Sequence, residues 1–195
     1  MTKTINVKVE DLSAKWIEQI KETHKHATLE IKVQEAVDET LMTDAAFWAI
    51  IDLLDWKKGK DTAAILAPAI KRLMSFEVAL IYKFQDLLAT KLYALDQQVF
   101  AENIGSRRYG GTKNFSVDVF LYARAAVVAN GQKFYELVLK DPTKMPKEFT
   151  FEALLSLAPT AFQQKTGQEW DYLPTPSYET YTNSKGWNGK SWMEF

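Results

Sequence analysis

Cysteine is absent from the 195-residue chain, and histidine is confined to His24 and His26. Without a thiol there is no disulfide, zinc–thiolate site, iron–sulfur ligation or Cys nucleophile. Two imidazoles two residues apart, in a segment that reads as a turn, cannot build a His-rich metal site. A Ser-His-Asp triad would have to draw on one of them. Charge of a single sign is also lacking: Lys plus Arg number 24 against 25 Asp plus Glu, a net charge of −1. That is not the footprint of a nucleic-acid-binding surface. No run approaches the roughly 18 apolar residues of a membrane span. The most apolar segment, 117–129, is interrupted by Asp118, Tyr122 and Arg124. The N-terminus, Met1-Thr2-Lys3-Thr4-Ile5-Asn6-Val7-Lys8, lacks the apolar core of a signal peptide. Together these absences predict a cytoplasmic protein with no cofactor and no metal, binding neither nucleic acid nor membrane.

What is present points to a folded, mainly α chain long enough to bury a sizeable core. At the N-terminus Ile5, Val7 and Val9 alternate with polar residues, as do Leu29, Ile31 and Val33. Period two predicts two strands. Between them Leu12, Trp16, Ile17 and Ile20 recur at helical spacing, predicting an amphipathic helix over 11–23. Residues 1–34 therefore read as a small β-α-β appendage. A two-stranded sheet is marginal alone in water, so its edges invite pairing with a second copy. Acidic, aperiodic residues 35–42 read as a linker. From residue 43 the pattern is helical, predicting a bundle of about six helices over 43–169. Thr43, Ser75, Ser116 and Thr150 are the expected helix starts, Pro68 a kink, and Asn130-Gly131 and Thr166-Gly167 the stops. Residues 103–114, with Gly105, Gly110 and Gly111, read as a long loop. The last 26 residues hold seven aromatics and four Pro or Gly residues. Exposed rings are costly in water, so 170–195 is expected to be an extended tail packed on the core.

Five segments carry a resemblance: Phe47-Trp48-Ala49-Ile50-Ile51-Asp52; Phe84-Gln85-Asp86-Leu87-Leu88 with Leu92-Tyr93-Ala94-Leu95-Asp96; Ser116-Val117-Asp118-Val119-Phe120-Leu121-Tyr122-Ala123-Arg124, running on to Val128-Ala129-Asn130-Gly131; Asp141-Pro142; and Lys165-Thr166-Gly167. Their order and spacing resemble the bacterial domain-of-unknown-function family 4240 over residues 43–170. The loop before the third segment, Thr112-Lys113-Asn114-Phe115, departs from members that carry an acidic pair there. The resemblance implies a mainly helical cytoplasmic domain and no particular reaction.

Arg124 is the most informative residue. Its neighbours three and four positions away are Phe120, Leu121, Val127 and Val128, which place a guanidinium on the apolar stripe of the most hydrophobic helix. Burying it requires a carboxylate and further acceptors, and Asp52, Asp86 and Asp96 are the expected partners. With Tyr93 they form a candidate polar pocket; the alternatives are a structural ion pair and an anion anchor. Arg107 and Arg108 beside Tyr109 form a candidate partner-binding loop, since Arg and Tyr are enriched at interface hot spots. No catalytic residue is assigned. The sequence favours a non-catalytic protein-binding or regulatory module, its partner another protein or a second copy joined through the N-terminal strands. A toxin-neutralising, immunity-like protein is one concrete form. The alternative is a carboxylate enzyme, with Mg²⁺ held by Asp52, Asp86 and Asp96 and Arg124 clamping a nucleotide or phosphate ester. It requires at least two of those acids to converge in an open cleft.

Overall fold

In the computed structural model the described residues are 12–25, 28 and 41–188. The chain divides into two compact units, 1–36 and 37–195.

The first unit contains helix α1 (Ala14–Thr23). Ser13 caps it by accepting the Trp16 N–H at 3.2 Å. Trp16 and Ile20 are half-buried and Ile17 is exposed. No strand occurs among the described residues, so the expected β-α-β appendage is corrected: the described part of this unit shows helix α1 and no β-α-β arrangement. The segments read as strands, 5–9 and 29–33, lie outside the described residues, as do His26 and most of the expected linker. Nothing among the described residues tests the expected pairing with a second copy.

Among the described residues the second unit holds seven α-helices: α2 (Asp44–Ile51), α3 (Thr62–Met74), α4 (Val78–Ala94), the single turn α5 (Gln98–Ala101), α6 (Val117–Ala129), α7 (Gln132–Lys140) and α8 (Leu157–Thr166). Thr43 caps α2 by accepting the Ala46 N–H, and Ser116 caps α6 by accepting that of Val119. Ser75 closes α3 instead of opening α4: its hydroxyl donates to the Arg72 carbonyl at 2.6 Å. Thr150 does not open the last helix either. Glu152–Ser156 form a 3-10 turn, and α8 follows. Pro159 sits at the third position of α8, where the missing N–H has no intrahelical partner to lose. Pro68 lies inside α3, which continues past it.

α6 is apolar on nearly every side; Phe120, Leu121 and 123–129 are all buried. A helix without a polar face lies in the middle of its fold, and α6 packs on α4, α7 and the 3-10 turn 152–156. α8 packs on α3 and α4. α6 ends at Gly131, whose φ of +88° suits glycine and turns the chain into α7. Beyond α8, residues 168–183 have neither helix nor strand, and a 3-10 turn covers Ser184–Trp187. Trp187 is fully buried, and Thr180 and Tyr181 nearly so. Trp192 and Phe195 lie outside the described residues.

Candidate functional site

Because α6 is buried on every side from Ala123 to Ala129, Arg124 within that stretch is completely buried. Burial pushes its pKa down, to about 10, with Asp96 and Glu179 opposing the shift, so the guanidinium remains charged at neutral pH. Nη1 donates to the carbonyl oxygens of Leu92 and Tyr178, each at 3.0 Å. Nη2 donates to Thr180 Oγ1 at 2.9 Å, and that hydroxyl donates onward to the Val117 carbonyl at 2.9 Å. Phe120 lies under the guanidinium, its ring centre 4.7 Å from Cζ. Nε has no hydrogen-bond partner.

Of the three acids considered, Asp96 is the one that faces Arg124, with Oδ1 4.0 Å from Nη1. It sits just past the end of α4 and is also fully buried. Its carboxylate accepts the Trp187 indole N–H at 2.9 Å and the Tyr181 N–H at 3.2 Å on Oδ1, and the Asn183 N–H at 2.9 Å on Oδ2. The Tyr93 carbonyl accepts from Asn183 Nδ2 at 3.1 Å. The two charges therefore divide the main chain of the tail: the cation takes the Tyr178 carbonyl and the anion takes amides at 181 and 183. Trp187 anchors this segment among Tyr109, Phe115, Phe120 and Tyr181, with ring centres 4.5 to 6.3 Å away. Gly186 must be glycine because a Cβ would fall 2.9 Å from the Asp96 carbonyl oxygen and against Gln97.

The other acids are elsewhere. Asp86 lies ten residues before Asp96, about 15 Å along the helix axis. It accepts the Tyr172 hydroxyl at 2.9 and 3.0 Å. Tyr172 stacks on Tyr82 at 4.5 Å, beside Trp170 and Phe162. Partial burial and then Asp86 raise the Tyr172 phenol above its usual pKa. Asp52 is exposed at the C-terminal end of α2, 3.2 Å from where a Cβ on Gly131 would lie. Asp96 is sealed and Asp86 is held by a tyrosine, so the converging open set that the carboxylate reading required does not form. No group of three acids or histidines suited to a metal ion occurs among the described residues.

In the loop after α5, Arg107 and Arg108 are exposed, while Tyr109 is half-buried against Phe115 and Trp187. The loop is tied at several points. The Tyr109 N–H donates to the Ala101 carbonyl at 3.0 Å. Glu148 accepts the Ser106 N–H, and Lys147 donates to the Asn103 carbonyl. The Ser106 hydrogen bonds hold the Glu148 carboxyl below its ordinary pKa, with Lys113 and Arg107 adding to the effect.

Sequence reasoning missed the tail's side of the Arg124 cluster: Thr180, Asn183, Gly186 and Trp187. It also missed a second constellation. The Lys91 ammonium sits 5.9, 5.3 and 5.8 Å from the ring centres of Phe47, Trp48 and Tyr135 and pairs with Asp44. Asp44 also accepts the Trp48 indole N–H at 3.0 Å. This cage ties α2, α4 and α7. The i, i+4 spacing of Asp44 and Trp48 was the only local trace of it.

Compared with known proteins, residues 42–164 match a family described as "Protein of unknown function (DUF4240)". No curated protein and no solved structure matches the chain. No helix among the described residues is long and apolar enough to cross a membrane.

Proposed function

The chain belongs to the DUF4240 family, and we propose that it is a cytoplasmic, non-catalytic protein-binding or regulatory module of a bacterial cell. One observation carries this reading: the buried Arg124–Asp96 cluster takes its hydrogen bonds from within the chain, Arg124 Nε alone being left without one. Arg124 and Asp96 are both fully buried, and their partners are α4 and the chain's own tail. A substrate cannot reach either group while the tail is seated. Exposed polar groups, by contrast, stand on a held surface. Arg107 and Arg108 project from a loop tied by Glu148, Lys147 and the Tyr109–Trp187 contact. A loop fixed before encounter loses little entropy on binding, and paired guanidinium groups suit bidentate contacts with carboxylates. The matching partner surface is an acidic patch on another protein. Neutralisation of a toxin is one form such binding would take.

The test compares the tagged chain with a double variant, Arg107→Glu and Arg108→Glu, as baits in lysate of the source cells. Any recovered protein is then purified and titrated calorimetrically. The expected result is a single dominant partner whose affinity falls at least tenfold in the double variant and weakens with salt. Recovery of nothing but the bait, or equal affinity for both baits, would overturn the reading.

A further inference from the structure

A groove of about 450 Å³ lies between α3 and α8, remote in sequence from the Arg107–Arg108 loop. Its size falls within the range of small-ligand sites, about 300–1,000 Å³. Leu66, Ile70 and Met74 form an apolar floor, with Leu66 and Ile70 nearly buried. Ala63, Ala67 and Ala153 hold the walls apart by being small. Thr62, Ser156, Thr160 and Gln164 supply the polar edge.

Charge is distributed unevenly around this groove. Lys71 is the single charged residue in the lining, and no acid lines it. Lys165 on α8 donates to the Met74 carbonyl at 3.0 Å, so the C-terminal ends of α3 and α8 lie together and a second ammonium stands at that end. The result is a cationic end, an apolar middle and a hydroxyl-bearing edge. We infer that the α3–α8 groove binds a small amphiphilic anion, its carboxylate or phosphate head at Lys71 and Lys165 and its alkyl or aryl body along Leu66, Ala67 and Ile70. This site is independent of the reading given under Proposed function. It shares no residue with the Arg107–Arg108 loop, so the two can fail separately.

The experiment is an amide NMR titration of the full chain with octanoate, octyl phosphate, 1-octanol and inorganic phosphate. Octanoate or octyl phosphate is expected to give saturable shifts confined to α3, α8 and residues 152–156. Comparison of the two identifies the head group. Octanol and inorganic phosphate, each carrying half of the chemistry, are expected to bind at least tenfold more weakly. Ala67→Trp is expected to abolish the shifts, and Ala63→Trp provides a second blocked groove. Both alanines are exposed, so neither substitution enters the core. Lys71→Met is expected to weaken the anions about fivefold, the scale of one exposed charge contact, and to leave octanol unchanged. The inference is overturned by absence of saturable shifts at α3 and α8, by shifts that persist in both tryptophan variants, by octanol binding as tightly as octanoate, or by unchanged anion affinity in Lys71→Met. Shifts of the same amides on dilution of the protein alone would assign the groove to a second copy and overturn it equally.

Discussion

At Arg124 and Asp96 two charges lie fully out of water, and their worth depends on what each would leave behind. Removing one member of a buried pair costs about 3–5 kcal/mol. The two sides are unequal here. Asp96→Ala strands an unpaired guanidinium and also leaves three donors, the amides of Tyr181 and Asn183 and the Trp187 indole, without their acceptor. Arg124→Met leaves the carboxylate with all three of those donors. Asp96→Ala is therefore expected to be the more destabilising by urea melts, near the top of that range, with Arg124→Met near the bottom. Equal losses would mean that the three donors to Asp96 contribute no more than the tail acceptors of Arg124. Lys91 offers a milder case. Replacing it with Met removes the cation from the Phe47–Trp48–Tyr135 cage. The expected loss is about 1 kcal/mol, with part of it surviving in high salt because the rings are buried. That Arg124 needed a carboxylate was legible in the sequence, from its place on an apolar stripe. Which of three acids supplied it was not, because that depends on where α4 ends relative to α6.

Among the elements, α3 carries its own flaw. Pro68 deprives the Ala64 carbonyl of its i+4 donor, and its ring crowds the preceding turn. Proline in a helix interior is about 3 kcal/mol worse than alanine. Because Pro68 is exposed, Pro68→Ala is expected to stabilise the protein. A chain of this size gains about 2–4 °C per kcal/mol, so calorimetry should show a rise of several degrees; a fall would mean that the local distortion is needed for α3 to pack on α8. The tail behaves as an element without regular structure. Its order comes from Trp187 in its aromatic socket and from main-chain groups divided between two buried charges. Such a segment has no period for a sequence pattern to reveal. Its aromatic richness indicated burial, whereas Gly186 and Thr180 acquire meaning only from Asp96 and Arg124 across the fold.

For the whole molecule, burial of phenols sets an alkaline limit. Tyr181 is pushed up to about 12, first by burial and then by Tyr109 and Asp96. Burial, with Asp44 adding, raises Tyr135 further. The unfolded chain ionises these groups near pH 10. Between that pH and the native values the folded state holds more protons than the unfolded one, so stability falls as pH rises. The contribution is complete below pH 10 and is lost through about pH 12. Tyrosinate absorbance is expected to rise in two steps, exposed phenols first and the buried ones together with loss of near-UV circular dichroism. A single step near pH 10 with the fold intact would contradict the burial of Tyr135 and Tyr181.

The residue pattern alone determined that the chain is mainly helical, where α2 and α6 begin and where α6 and α8 end, and that a cation on α6 had to be neutralised inside. Those features are local: periodicity, capping hydroxyls and the cost of desolvating charge all act within a few turns. Tertiary structure decided that Asp96, and neither Asp52 nor Asp86, meets Arg124. It also decided that the tail's own amides and carbonyls complete the cluster, and that α3 and α8 leave a groove between them. These outcomes depend on contacts between residues about 28 to 91 positions apart, and the chain's local preferences carry no record of which distant surfaces will meet.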